Sequence, residues 1–164
     1  MTDTMIGLKK AAVLCILKHQ EQFLLLQRGK EPHKGQYIPV GGKVEPFEDP
    51  LSAVVREVFE ETGLKLDKKN LQFIGVLSET SPVNFNWINF VYCAEIDFFT
   101  PPTCVEGSLH WIDKEDIPST SMPQTDGFFF KYLEEKAPFM LDALYDESLN
   151  LLSLVEEIRK EKLI

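Results

Sequence analysis

Three glutamates, Glu57, Glu60 and Glu61, are spaced so that they share one side of a helix. At about 100° per residue they span an arc of about 100°. Like charges at this spacing destabilise a helix by about 0.2–0.5 kcal/mol per pair, and anions near a helix C-terminus are also unfavourable. A bound cation would relieve the repulsion, and all-oxygen ligands suit Mg²⁺ or Mn²⁺ rather than Zn²⁺. The alternative interpretation is a solvated acidic face in an acidic protein.

The helix that carries these glutamates is predicted over residues 50–62. Asp49 is a preferred N-cap residue, Pro50 suits the first helical position, and Gly63 suits the C-cap. Gly41 and Gly42 end a short strand shortly before the helix, where bare backbone can approach an anion or a metal ion closely. The other face of the helix is apolar and is expected to pack on the protein; it carries Leu51, Val54, Val55, Val58 and Phe59.

The segment from Gly42 to Leu64, GKVEPFEDPLSAVVREVFEETGL, resembles the Nudix box. The box pattern is Gly-x5-Glu-x7-Arg-Glu-U-x-Glu-Glu-x-Gly-U, where U is aliphatic. The fixed and aliphatic positions are all filled, by Gly42, Glu48, Arg56, Glu57, Val58, Glu60, Glu61, Gly63 and Leu64. The resemblance implies an α+β Nudix fold, in which a mixed sheet lies between helices in α/β/α layers and the box forms a loop–helix–loop catalytic motif.

The Nudix resemblance also implies a hydrolase that uses Mg²⁺ or Mn²⁺ to cleave a nucleoside diphosphate linked to another moiety. By motif position, the metal ligands would be the Gly42 carbonyl, Glu57, Glu60 and Glu61, and Glu57 is also a candidate general base. Glu106 lies five residues before Trp111, where related enzymes place a further metal-binding glutamate. The alternative for Glu106 is an ordinary loop acid.

Three basic residues are candidates for supporting roles. Arg56 completes the predicted catalytic set with the three box glutamates, because its planar fork can orient a carboxylate, and Glu48 would stabilise the loop or the helix. Arg28, at the end of the second predicted strand, and Lys43 are candidates for holding phosphates. Their alternatives are a solvent-facing charge for Arg28 and an ion pair with Glu45 for Lys43.

The segment from Cys104 to Phe130 resembles the oxidised-purine nucleoside triphosphatases of the MutT type. Two adjacent aspartates contact the purine in the animal members; Asp126 matches the second, and Thr125 replaces the first. Ile38 stands where those enzymes have asparagine. Asp126 is therefore a candidate base-binding residue, with the N-cap of the following helix as its alternative.

Four aromatic residues are candidates for a stacking wall beside the base: Phe85, Trp87, Phe128 and Phe129. Packing in the core or on a sheet face is the favoured alternative for them.

The leading functional hypothesis is a Mg²⁺-dependent hydrolase that cleaves a nucleoside triphosphate to the monophosphate and pyrophosphate, with oxidised purines such as 8-oxo-dGTP among the candidate substrates. The first alternative is hydrolysis of another nucleoside diphosphate derivative, such as a pyrimidine triphosphate or a nucleotide sugar. A non-catalytic nucleotide-binding Nudix module is a weaker alternative, because the chain keeps every box glutamate.

Composition limits the class of protein. The chain has 164 residues, of which 44% are hydrophobic and 26% charged, so it can bury a core as a single domain over 1–164. A net charge of −9 disfavours stable nucleic-acid binding. The sequence has no apolar run of transmembrane length and no secretory signal, so a cytoplasmic protein without membrane contact is expected. A homodimer is compatible with the sequence but does not follow from it.

Strand-forming runs surround the box helix on both sides. Two precede the YIPVGG segment, three follow the helix, and a second helix is predicted over DGFFFKYLEE. The final segment allows two interpretations: a hairpin about residues 146–150, or a strand followed by a helix. Leu151, Leu154, Val155 and Ile158 also fit helical spacing, so periodicity does not decide between the two.

Overall fold

The computed structural model describes residues 6–164. Within this range ten strands form one sheet, and two α-helices and two short 3₁₀-helices accompany it. The strands are β1 (Lys10–His19), β2 (Gln22–Arg28), β3 (Tyr37–Ile38), β4 (Val40–Lys43), β5 (Gln72–Thr80), β6 (Trp87–Glu95), β7 (Gly107–Asp113), β8 (Phe139–Tyr145), β9 (Leu151–Glu156) and β10 (Glu161–Lys162). The helices are α1 (Pro50–Thr62) and α2 (Gly127–Glu135), with 3₁₀-helices at Lys68–Asn70 and Lys114–Ser119.

The sheet is mixed, as predicted. Its order is β10-β9-β8-β5-β6-β1-β2-β3, with β4 also paired to β1 and β7 to β2. The pairs β1–β6 and β5–β8 are parallel, and the other pairings are antiparallel. Strands that pair in parallel run in the same direction, so the corresponding ends of β1 and β6, and of β5 and β8, lie side by side although they are distant in sequence.

The α/β/α layering follows from the alternation of side chains along the strands. On β1, Val13, Cys15 and Leu17 point to one face and pack with the buried side of α1. Ile16 points to the other face and packs with α2. The two helices therefore cover opposite faces of the sheet, which confirms the predicted fold class.

Helix α1 begins and ends where its caps predict. Asp49 Oδ1 accepts a hydrogen bond from the Ser52 amide at 2.9 Å, and Pro50 is the first helical residue. Gly63 takes a left-handed φ of 78°, and its amide donates to the Phe59 carbonyl. These two caps fix the residues at which the box helix begins and ends.

Two expectations needed correction. The YIPVGG segment is not one strand: Pro39, which has no N–H, separates β3, paired with β2, from β4, paired with β1. The final segment is a hairpin, so the strand-plus-helix alternative is wrong. The hairpin is fixed by Asp146, whose Oδ1 accepts from the Ser148 and Asn150 amides at 2.9 Å each. Leu154 then points into the core from β9.

No helix in the described part of the chain combines the length and the apolar character needed to span a membrane.

Candidate functional site

The predicted catalytic glutamates face a cavity between α1, β4 and the segment before β7. The cavity has a volume of about 510 Å³. Its lining includes seven of the residues singled out in the sequence, namely Arg28, Gly42, Lys43, Glu57, Glu60, Glu61 and Glu106. Residues from four parts of the chain therefore meet at one place, which we call the acidic cavity.

The glycine pair at the end of β4 allows this close packing. A Cβ atom on Gly42 would lie 2.4 Å from the carboxylate carbon of Glu57, and one on Gly41 would lie 2.0 Å from the Val13 carbonyl oxygen. A side chain at position 41 would therefore force the backbones of β1 and β4 apart, and one at position 42 would displace the Glu57 carboxylate. The backbone of Gly42 is thus held directly against the Glu57 carboxylate.

Arg56 ties the loop before α1 to the helix. Its Nε and Nη2 donate to the two oxygens of Glu48 at 2.8 and 2.9 Å, and Nη2 also donates to the Lys43 carbonyl at 2.9 Å. Its Nη1 donates to Glu57 Oε1 at 2.8 Å. The guanidinium lowers the pKa of Glu48 to about 2. Arg56 and Glu48 therefore order the carboxylates rather than facing the cavity themselves.

Two of the cavity carboxylates are costly to ionise. Burial raises the pKa of Glu61 to about 8, and the charges of Glu57 and Glu106 add to the effect, although the Gly41 amide donates to Glu61 Oε2 at 3.3 Å. Burial also raises the pKa of Glu57, against the opposing effect of Arg56. A cation in the cavity would reverse both shifts.

The donor set fits a hard divalent ion, although the side chains are not yet gathered around one point. Within residues 6–164 no three His, Cys, Asp or Glu side chains are as close together as a metal ion would hold them. Arg56 holds Glu57 and the Gly41 amide holds Glu61, while Glu60 is exposed. Carboxylates and a glycine carbonyl are nevertheless the oxygen ligands that Mg²⁺ and Mn²⁺ prefer.

A second cavity of about 370 Å³ adjoins the first, and we call it the base cavity because Asp126, the base-binding candidate of the sequence, lines it. The two cavities share Arg28, Ile38, Gly42 and Lys43 in their linings. Arg28 Nε donates to the Pro32 carbonyl at 2.7 Å, so Arg28 also holds the loop that follows β2.

Asp126 lines the base cavity and is buried. Its Oδ1 accepts from the Thr125 hydroxyl at 2.9 Å, and burial raises its pKa to about 7. Asp126 is the N-cap residue of α2, as the alternative has it, but its carboxylate makes no capping hydrogen bond to the start of that helix. The αR backbone of Asp126 explains this, because capping side chains extend from a β-region backbone.

The aromatic candidates divide into two pairs. Phe85 and Trp87 line the base cavity, edge to face, with ring centroids 6.4 Å apart. Phe129 is buried and stacks on Phe139 at 5.5 Å, and Phe128 packs against the same core. Core packing is thus shown for Phe128 and Phe129, and a stacking role for Phe85 and Trp87 stays a prediction.

Three residues of this region were missed in the sequence. Glu79 and Asn89 line the base cavity, and Tyr145 donates from its hydroxyl to Glu79 Oε1 at 2.8 Å. The available signal was an acid at the end of an apolar strand, Glu79 in LQFIGVLSET. Its partner Tyr145 lies 66 residues away, on a strand whose pairing the sequence did not specify.

The family model for the NUDIX domain matches residues 8–140. The chain belongs to the Nudix family. The match contains both cavities' lining residues and leaves the turn and strands after β8 outside. Membership of the family and the complete box make the chain a Nudix pyrophosphohydrolase. Its fold also supports the expected resemblance to MutT.

The similar proteins are all Nudix relatives but differ in their named activities. An uncharacterized Nudix hydrolase of Bacillus subtilis, YvcI, is 30% identical over 124 residues, which is 73% of this chain and 75% of the relative. Diphosphoinositol polyphosphate phosphohydrolase 2 of Mus musculus is 37% identical over 84 residues, 44% of this chain and 46% of that protein. The human 8-oxo-dGDP phosphatase NUDT18 is 30% identical over 107 residues, 65% of this chain and 31% of that protein.

Among solved structures, the mutator MutT protein of Bacillus halodurans superimposes with a TM-score of 0.79 at 26% identity. The superposition covers 91% of this chain and 98% of the MutT chain. The chain therefore shares its fold with a MutT structure over nine-tenths of its length.

Proposed function

We propose that this Nudix enzyme binds Mg²⁺ or Mn²⁺ and hydrolyses a nucleoside triphosphate to the monophosphate and pyrophosphate, with purine nucleotides, including oxidised ones such as 8-oxo-dGTP, as substrates. The observation that carries the proposal is the junction of the two cavities. Arg28, Gly42 and Lys43 line both, so phosphates in the acidic cavity and a base in the base cavity fit one ligand.

The acidic cavity supplies the reactive end. Glu57, Glu60, Glu61, Glu106 and the Gly42 carbonyl are the proposed metal ligands. When bound, the divalent ion neutralises phosphate oxygens and acidifies water. The positive side chains of Arg28 and Lys43 line the same space and are proposed to hold the phosphates.

Glu57 is the proposed proton acceptor. Arg56 occupies its Oε1, which leaves Oε2 to take a proton from the attacking water. Arg56 fixes the direction of this carboxylate through its simultaneous hold on Glu48.

Base binding is assigned in this proposal to Asp126, with Phe85 and Trp87 as stacking partners. A fully desolvated acid beside aromatic rings suits an aromatic heterocycle that offers hydrogen-bonding groups. The human relative named as an 8-oxo-dGDP phosphatase adds support for an oxidised purine.

The test measures pyrophosphate and phosphate release with Mg²⁺ from purine and pyrimidine triphosphates, 8-oxo-dGTP, 8-oxo-dGDP, a nucleotide sugar and a diphosphoinositol polyphosphate. We expect a purine triphosphate to give the highest kcat/KM and to release pyrophosphate. Highest turnover of the inositol compound or the nucleotide sugar would overturn the substrate class.

Two variants test the residue roles. Glu57→Gln and Glu61→Gln are expected to lower kcat at least about 100-fold while the thermal unfolding midpoint is kept. Both are also expected to weaken Mn²⁺ binding measured by calorimetry without substrate. Glu135→Gln, an exposed glutamate on α2, is the matched control and is expected to change neither quantity. Activity near wild type in either cavity variant would contradict the assignment.

A further inference from the structure

Glu79 presents a second carboxylate to the base cavity, from the end of β5. Tyr145 donates to its Oε1 at 2.8 Å, and Asn89 Nδ2 donates to its Oε2 at 3.0 Å. Within residues 6–164 these are the hydrogen bonds that the two oxygens accept. A carboxylate oxygen can accept about two hydrogen bonds, so each oxygen keeps an acceptor position.

Within the described range 6–164, no ion pair holds the Glu79 carboxylate in place. Lys9 Nζ, whose charge acts on Glu79, donates to the main-chain carbonyl of Glu79 and to the Thr80 hydroxyl instead. Burial raises the pKa of Glu79, and the two hydrogen bonds oppose that shift. A half-buried carboxylate with spare acceptor positions and no direct cation is expensive to maintain, which points to a ligand-binding role.

Glu79 and Asp126 face the same cavity from different elements, the end of β5 and the start of α2. Thr125, the neighbour of Asp126, is neutral and donates its hydroxyl proton to Asp126, so the second carboxylate at this cavity is that of Glu79. The charge of Glu79 also contributes to the raised pKa of Asp126, after burial. Both acids therefore line the base cavity, and the aromatic rings of Phe85 and Trp87 line it as well.

We propose that Glu79 is a specificity-determining residue of this enzyme, which accepts a hydrogen bond from the amino group of a purine base. The proposal rests on the nucleotide substrate proposed above. Ionised carboxylates are acceptors only, so Glu79 favours a base that offers an N–H donor over an analogue without one.

Tyr145 is a positioning residue in this scheme. It lies outside the matched NUDIX residues 8–140, in the hairpin that extends the sheet. Parallel pairing of β5 with β8 places its hydroxyl on Glu79 Oε1. The C-terminal hairpin thereby takes part in base selection without touching the substrate.

The test compares kcat/KM for two pairs of triphosphates that differ by one amino group. Guanosine triphosphate is compared with inosine triphosphate, and adenosine triphosphate with purine riboside triphosphate. We expect the wild-type enzyme to prefer the amino-bearing member of at least one pair. Glu79→Gln is expected to reduce that preference about 10-fold, mainly through KM, because a charge-assisted hydrogen bond to the amino group is lost.

Tyr145→Phe is expected to reduce the same preference by a smaller factor. A purely structural role for Tyr145 would lower the rates with all four triphosphates equally and leave the preference unchanged. This variant also keeps the test decisive if Glu79→Gln fails to fold. Glu95→Gln, an exposed glutamate on the neighbouring strand β6, is the matched control.

The outcomes separate the two proposals. If the wild-type enzyme hydrolyses no nucleotide, the proposed function fails and this inference fails with it. If nucleotides are hydrolysed but no pair is discriminated, or folded Glu79→Gln keeps the wild-type preference within about twofold, only the role of Glu79 is overturned.

Discussion

Arg56 holds Glu48 through two parallel hydrogen bonds, from Nε to Oε2 at 2.8 Å and from Nη2 to Oε1 at 2.9 Å. The remaining guanidinium nitrogen donates to Glu57 Oε1 at 2.8 Å. One planar group thus connects the loop before α1 with a proposed catalytic carboxylate on α1. Such a connection requires the fork geometry, because a lysine ammonium cannot make two parallel bonds to one carboxylate.

Arg56→Lys is therefore expected to lower kcat/KM about 10- to 100-fold, although the positive charge is kept. The matched control is Arg159→Lys, because Arg159 also binds a glutamate, Glu156, at 2.8 Å, but outside both cavities. That control is expected to lower the unfolding midpoint and to leave kcat/KM unchanged. Steady-state kinetics and thermal unfolding check both, and equal kinetic losses in the two variants would contradict the orienting role.

Asp126 gives the stability of the protein a pH dependence. Its folded-state pKa of about 7 is above its ordinary value of 3.8, so the folded state holds the proton more tightly than the unfolded state. The resulting stabilisation is complete below about pH 4 and is lost as the pH rises to about 7. In Asp126→Asn the side chain does not titrate, so this contribution to the pH dependence of stability is absent.

The free energy of unfolding of the wild type, relative to Asp126→Asn, is expected to fall by about 1 kcal/mol per pH unit between pH 4 and 7. Urea unfolding at four pH values, without added metal or nucleotide, measures the difference. Asp116→Asn, an exposed aspartate, is the control and is expected to track the wild type. Parallel curves for Asp126→Asn and the wild type would show that Asp126 is solvated in solution.

Local rules were sufficient for the box helix and for most strands. The Asp49 cap, Pro50 and Gly63 lie within the segment itself, so the bounds of α1 could be predicted from it. The tail could not be predicted in this way, because Leu151 and Leu154 satisfy a helical period as well as their actual places on a strand. Pairing of β9 with β8 and the Asp146 turn decided the outcome, and pairing is a tertiary effect.

Strand pairing also limits how much of the candidate site the sequence predicts. The acidic cavity is largely encoded in one continuous motif, and the predicted residues Arg28 and Glu106 lie in it as well. The base cavity is built from residues that only the sheet order brings together. Glu79 and Tyr145 meet because β5 pairs with β8, which no local pattern in the sequence indicates.

Phe47, in the loop before α1, has a left-handed φ of 64° and is fully exposed. A bulky residue in this region costs about 1 kcal/mol, and no contact with the core compensates for it. Phe47→Gly is expected to raise the free energy of unfolding by about 1 kcal/mol, measured by urea denaturation.

The matched control for this change is Phe73→Gly, a half-exposed phenylalanine within strand β5. There the glycine is expected to destabilise the protein, because the strand backbone suits phenylalanine. The ring centroids of Phe73 and Tyr92 also lie 5.6 Å apart, and the glycine removes this contact. A lower stability for Phe47→Gly would mean that the exposed ring makes a stabilising contact in solution.

The hydroxyls of Tyr132 and Tyr145 differ in whether they have a hydrogen-bond partner, and removing each hydroxyl tests the difference. The Tyr132 hydroxyl has no hydrogen-bond partner within residues 6–164, whereas the Tyr145 hydroxyl donates to Glu79 at 2.8 Å. A buried donor without a partner costs about 1–3 kcal/mol, so Tyr132→Phe is expected to raise the unfolding midpoint. Tyr145→Phe is expected to lower it, because the Glu79 carboxylate loses a donor. Thermal unfolding of the two variants side by side measures the contrast, and a shared direction of change would mean that Tyr132 finds a partner in solution.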